Sequence, residues 1–159
     1  MDISNILERL IGNNLSVSTA ESCTGGMIAS AIVDFPGASN CFNEGYVTYS
    51  NEAKIKNLGV KDETLMAFGA VSQQTAKEMA AGVRKKAKAD FGLSSTGIAG
   101  PGGGSPTKPV GLVYIGCAYG DSLVKVKELR LSGSRSEIRT EATQLAFLLL
   151  DECMKELNI

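Results

Sequence analysis

Helical and extended periodicities alternate along most of this chain, and that alternation limits the possible folds more than any other feature. Ile3, Ile6, Leu7, Leu10 and Ile11 recur at the i, i+3, i+4, i+7 spacing of a helix face. LSVSTA follows as a short strand. GGMIASAIVDF reads as a helix with small residues on one side, stopped by Pro36 and Gly37. EGYVTYS alternates as strands do. Asn51 is the expected N-cap of a helix over EAKIKNLG that Gly59 ends. Ser72 caps a longer helix, QQTAKEMAAGVRKKAKA, and FGLSST is a short strand of the buried type. VGLVYIGCAY and LVKVKELRL flank GDS as a hairpin. Ser134 and Glu137 form a capping box for a last helix ending near Asn158, with Ile138, Leu145, Leu149, Met154 and Leu157 on its apolar face. The order predicts an α/β protein, a three-layer α/β/α sandwich with a mixed, mostly parallel sheet, the hairpin supplying the antiparallel part. With no linker or repeat in 159 residues, a single domain over 1–159 is expected.

Composition excludes several function classes. The net charge is −1, so nothing favours non-specific attraction to nucleic acid or to an anionic membrane. Arg84, Lys85, Lys86 and Lys88 read as the solvated C-terminus of a helix, where positive charge is favourable. The opening MDISNILERLIGNN is an amphipathic helix rather than a signal peptide, and no apolar run approaches the ~18 residues of a membrane span. A soluble, cytoplasmic protein with reduced thiols is expected. Cys23, Cys41, Cys117 and Cys153 have no C-x-x-C spacing and histidine is absent, so no metal site and no metal cofactor are expected.

Two segments are suited to chemistry. AESCTGG lies between a strand and a helix, so the amides of Thr24, Gly25 and Gly26 fall near a positive helix end that suits an anion or an oxyanion. Ordinary capping by Ser22 or Thr24 is the alternative. GIAGPGGGSPTKPVG is a fifteen-residue loop, long for a compact domain, that lacks both the G-K-[ST] of a phosphate loop and a clean G-x-G-x-x-G. Its glycines can expose amides to a ligand while its prolines hold its shape. A serine nucleophile in this chain has no histidine to take its proton. A lysine can do so if burial or a neighbouring cation lowers its pKa from ~10.4 to roughly 7–8. YVTYSNEAK offers Tyr49 and Lys54 at a strand-to-helix turn, and Cys23 is the rival nucleophile.

TAESCTGG, GYVTYSNEAK, GAVS and STGIAGPGGGSPTKPVG together resemble, in order and spacing, the C-terminal domain of the competence/damage-inducible CinA proteins, whose stand-alone members are nicotinamide-nucleotide amidases. The resemblance runs from about Ser18 to the last helix. It implies hydrolysis of the carboxamide of nicotinamide mononucleotide, a linear amide, to nicotinate mononucleotide and ammonia, in pyridine nucleotide salvage. It also implies Ser22 as nucleophile, Lys54 as general base, and Ser39 or Tyr49 as a proton relay. The Thr24 to Gly26 amides would hold the oxyanion. Thr96, Gly97, Gly100, Gly102 and Gly103 would cradle the ribose phosphate, and Arg135 or Arg139 would bind the phosphate. No cofactor is implied. The larger family members carry an extra N-terminal domain resembling molybdopterin-binding proteins, whose activity is expected to be absent here. Partners are expected to be a small nucleotide substrate and further copies of the chain, not nucleic acid or membrane. The alternative is a nucleotide-binding regulatory module without catalysis.

Overall fold

The computed structural model describes residues 3–159. Strands β1 (Val17–Glu21), β2 (Phe42–Val47), β3 (Phe91–Gly97), β4 (Leu112–Tyr119) and β5 (Leu123–Arg130) form one sheet in the order β2-β1-β3-β4-β5. β1 pairs in parallel with both β2 and β3, while β4 runs antiparallel to β3 and to β5. Only β4 therefore opposes the common direction. Helices α1 (Ser4–Gly12), α2 (Met27–Val33) and α6 (Arg135–Glu156) cover one face of the sheet; α3 (Asn51–Leu58), α4 (Asp62–Phe68) and α5 (Gln73–Ala87) cover the other. The result is the expected three-layer sandwich. The larger apolar core joins Leu7, Leu10, Ile28, Ile32, Phe147 and Leu150 to the sheet; the smaller one gathers Leu58, Leu65, Met79 and Val83 around Ala20.

Most boundaries follow from local chemistry. Ser72 and Ser134 sit in extended backbone and accept the N–H of Thr75 and Glu137, and the Ser134/Glu137 capping box is closed in both directions. Gly59 ends α3 in the left-handed conformation at φ 68°. Two local features differ from expectation. The N-cap of α3 is Ser50, not Asn51: its Oγ accepts the Ala53 N–H at 3.1 Å, one residue earlier than expected. α4 was not anticipated, because its seven residues bury only Leu65 and so show no apolar period. The basic cluster does lie at a helix end, where Arg84 pairs with Asp121. No described helix is long and apolar enough to cross a membrane.

α5 lies unusually close to its neighbours, and glycines make the approach possible. A Cβ on Gly82 would fall 1.9 Å from Leu58 O, and one on Gly92 would fall 2.2 Å from Ala80 O. Both obstacles are backbone atoms, which cannot swing aside. Gly82→Ala therefore tests packing against propensity. Helix propensity alone favours alanine by about 1 kcal/mol, whereas forcing α5 off α3 costs roughly 1–3 kcal/mol or more. The expected result is a melting temperature several degrees lower; a higher one by calorimetry would mean that the two helices separate freely.

Candidate active site

Because β1, β2 and β3 are parallel, their carboxyl ends meet on one edge, with Glu21 level with Val47 and Ser95. The pairing continues one step further: Ser22 N–H donates to Ser95 O at 2.9 Å and Thr48 N–H to Glu21 O at 2.8 Å. The connections leaving β1 and β2 pass over opposite faces of the sheet. The crevice beside β1 is thus the place where open α/β sheets bind ligands. It is here that AESCTGG, YVTYSNEAK and the glycine-rich loop converge.

Lys54 lies in the first turns of α3, and helical side chains lean back toward their own N-terminus. Its side chain therefore runs under the ends of β1 and β2 and is fully buried. Its Nζ lies 3.1 Å from Ser22 Oγ, 2.7 Å from Thr48 O and 3.3 Å from Tyr49 O. A neutral amine has two hydrogens and one lone pair. The two carbonyls can accept only hydrogens, so the lone pair is left for the Ser22 hydroxyl. Burial lowers the Lys54 pKa to about 8, so about a tenth of the amine is neutral at pH 7, far more than for an exposed lysine. The same burial pushes the adjacent Cys23 thiol up to about 11, with Glu21 adding to the rise, which keeps that sulfur protonated and a poor nucleophile.

The turn after Ser22 is held by a residue that sequence reasoning passed over. The buried Glu21 carboxylate accepts from Thr24 Oγ1 at 2.6 Å, and from the amides of Gly26, Ile28 and Ala29 at 3.0, 3.1 and 2.8 Å. Glu21 therefore caps α2, in place of Ser22 or Thr24; the N-cap position itself is Gly26, which has no side chain. This corrects the expected anion site. The Gly26 amide is spent on Glu21, and the Gly25 amide donates to Ser22 O at 3.1 Å. The amides of Cys23 and Thr24 donate to no other described residue. The Thr24 side chain is also committed, lying 2.6 Å from Ser95 Oγ as well as bonded to Glu21. No sequence signal set Glu21 apart; its need for internal partners follows from the burial of β1 along its whole length.

A cavity of about 210 Å³ adjoins the dyad, lined by Cys23, Tyr49, Gly97, Gly100, Gly103 and Arg135 among others. Gly102 also lines it, so the glycines expected to form a cradle are brought together. Thr96 is not among them; its hydroxyl is buried and donates to Ala70 O at 2.8 Å, tying β3 to the segment before α5. The loop is ordered by Gly111 N–H to Ile98 O and Ser105 N–H to Lys108 O, both 2.8 Å, and Lys108 Nζ fastens it to Phe68 O at the end of α4. Arg135 reaches Gly100 O at 2.8 Å and the Tyr49 hydroxyl at 3.3 Å at the cavity wall. Arg139 instead donates to Cys23 O and Thr24 O, each at 3.0 Å. Neither expected relay stands between Ser22 and Lys54. The Tyr49 phenol is exposed and points to Arg135, and only its carbonyl meets Lys54. Ser39 lies in the turn before β2, at the opposite end of the sheet, where Val17 N–H meets Cys41 O. The direct 3.1 Å contact leaves no gap for a relay to fill.

Comparison with known proteins finds relatives over nearly the whole chain. A family model described as the CinA C-terminal domain matches residues 3–154. A CinA-like protein of Kosmotoga olearia is 56% identical over 145 residues, covering 88% of this chain and 35% of its own length. A protein of Caldanaerobacter subterraneus named for competence-damage induction is 59% identical over 142 residues, 89% of this chain and 34% of its own. The chain thus spans about a third of the length of the curated relatives it matches. Among solved structures, competence/damage inducible protein CihA from Agrobacterium tumefaciens superposes with a TM-score of 0.90 at 45% identity, covering 96% of this chain and 95% of that one. A CinA superfamily protein from Klebsiella pneumoniae does so with a TM-score of 0.92 at 31% identity, covering 97% and 96%.

Proposed function

The chain belongs to the CinA C-terminal domain family, and from that premise we propose that it is a serine amidohydrolase converting nicotinamide mononucleotide to nicotinate mononucleotide and ammonia. The observation that carries this reading is the buried Lys54 amine, 3.1 Å from Ser22 Oγ, with two carbonyls occupying its hydrogens. A module that only bound nucleotides would gain nothing from a desolvated lysine against a serine, an arrangement that disfavours the folded state while the amine is charged.

Neutral Lys54 takes the Ser22 hydroxyl proton as Oγ attacks the carboxamide carbon. The carbonyl oxygen becomes an oxyanion facing the Cys23 and Thr24 amides, one such donor being worth about 3 kcal/mol in comparable sites. The Lys54 ammonium returns its proton to the departing nitrogen, and ammonia leaves. Water then attacks the acyl-enzyme, giving its proton to Lys54, and Ser22 is released protonated with nicotinate mononucleotide. The test is ammonia release from nicotinamide mononucleotide by the purified protein; tight binding without ammonia would leave the regulatory-module reading instead.

Arg135 is the phosphate ligand in this scheme, because it lines the cavity while Arg139 is tied to the nucleophile turn. A charge-assisted bond to phosphate contributes roughly 1.5–3 kcal/mol, about ten- to hundredfold in kcat/KM. Arg135→Gln is expected to lose that factor on the mononucleotide and little on nicotinamide riboside, which has no phosphate. Equal losses on both substrates would remove the phosphate role.

A further inference from the structure

Arg139 is held by the nucleophile turn rather than by solvent or an acid. It stands one helical turn beyond Arg135 on α6, on the same side of that helix. Its Nε donates to Cys23 O and its Nη2 to Thr24 O, both at 3.0 Å. Two successive carbonyls thus point toward one guanidinium. The peptide group is planar and trans, so each amide N–H points opposite to the carbonyl of its own peptide unit. With Cys23 O and Thr24 O drawn toward Arg139, the Thr24 and Gly25 N–H groups must face away from it. Gly25 N–H does so and donates to Ser22 O at 3.1 Å. Thr24 N–H has no acceptor in another described residue.

We infer that Arg139 is a positioning residue that aims the Thr24 amide at the oxygen of the reacting carbonyl, and so governs stabilisation of the oxyanion rather than phosphate binding. This rests on the amidase reading above. Gly25 belongs to the device: it sits at φ +60°, and a Cβ there would lie 3.2 Å from Arg139 Nη2, pressing on the guanidinium. A lysine cannot replace Arg139, because a single ammonium offers a point charge where two parallel donors span two carbonyls. Glu21 grips the same turn from its other side through Thr24 Oγ1 and the Gly26 amide. The turn keeps its chain path without Arg139 and loses the orientation of one peptide plane.

The experiment compares Arg139→Gln, Arg139→Lys and Arg135→Gln with the unaltered protein on nicotinamide mononucleotide and nicotinamide riboside. It adds the inhibition constant of pyridine-3-boronic acid. The boronate forms a bond from Ser22 Oγ to boron, the hydroxyl proton passing to Lys54, and its tetrahedral oxygen then occupies the oxyanion position. Both Arg139 variants should lose about 10²-fold in kcat with KM within a few fold. The loss should be equal on the two substrates, and the boronate should weaken by a similar factor. Where Arg139→Gln fails to fold, Arg139→Lys is the variant read. A loss confined to the mononucleotide and carried in KM would make Arg139 a phosphate ligand and overturn the inference. Lower kcat with unchanged boronate affinity would overturn it too, by reducing Arg139 to a structural support. If the unaltered protein releases no ammonia, the amidase reading fails, while boronate affinity still reports on the Thr24 amide.

Discussion

Replacing Ser22 by alanine is expected to lower kcat on nicotinamide mononucleotide by about 10⁴-fold or more, with Cys23→Ala keeping most of the activity. The two side chains are neighbours in sequence but opposite in chemistry. The Ser22 hydroxyl meets the one amine able to take its proton, at 3.1 Å. The Cys23 thiol is buried, and its pKa rises to about 11, so thiolate is scarce at any pH where the protein works. On the proposed mechanism, removing Oγ would end acyl-enzyme formation, leaving only what binding and the oxyanion donors supply. Steady-state ammonia release by folded variants decides the matter. An active Ser22→Ala enzyme, or a dead Cys23→Ala enzyme with normal stability, would sink the serine mechanism.

Lys54→Met should be nearly as damaging, lowering kcat about 10³–10⁴-fold with little change in KM, because Lys54 is not part of the cavity wall. Lys54→Arg should not restore activity, since a guanidinium stays protonated with a pKa above ~12. In the unaltered enzyme, kcat/KM should rise with pH through about 8 as the base loses its proton. Stability should carry the same signature. Burial lowers Lys54 from 10.5 to about 8, so between those values the folded chain binds fewer protons than the unfolded one. Stability contributed by this group therefore increases as pH rises across that window. Below it the cost of burying an ammonium is constant. Relative to Lys54→Met, the unaltered protein should gain on the order of 3 kcal/mol between pH 7 and pH 10.5. Urea unfolding at a series of pH values measures this. Parallel stability curves for the two proteins, or a flat kcat/KM near pH 8, would mean that Lys54 is an ordinary ammonium with an electrostatic part only.

Much of the fold was legible in the residues, because the features concerned are local. Ser72, Gly59 and the Ser134/Glu137 pair announce helix ends through contacts within one turn of chain. The hairpin of β4 and β5 is likewise a matter of neighbouring residues, and alternation of the two periodicities leads to the sandwich. Where local signals were weak, the boundaries shifted: α4 is too short to show a period, and Ser50 took the capping position from Asn51. Composition alone raised the need for a base other than histidine. The family resemblance, and not the residues alone, implied Ser22 and Lys54 as a pair.

What the residues could not state is who touches whom. Ser22 and Lys54 are 32 positions apart, and parallel pairing of β1 with β2, followed by a helix that turns Lys54 back under both strands, brings them together. The same register leaves Ser39 at the far end of the sheet, although it lies closer to Ser22 in sequence. Glu21 looked like any acidic residue beside a motif, and only its burial against four donors makes it the cap of α2. Arg135 and Arg139 could not be told apart by spacing. One lines the cavity and the other grips carbonyls 116 and 115 positions away, a difference set by how α6 lies across the turn. Periodicity, caps and turns depend on neighbours along the chain and can be read from it. Which donor meets which acceptor depends on packing between elements, and that was decided only when the sheet closed.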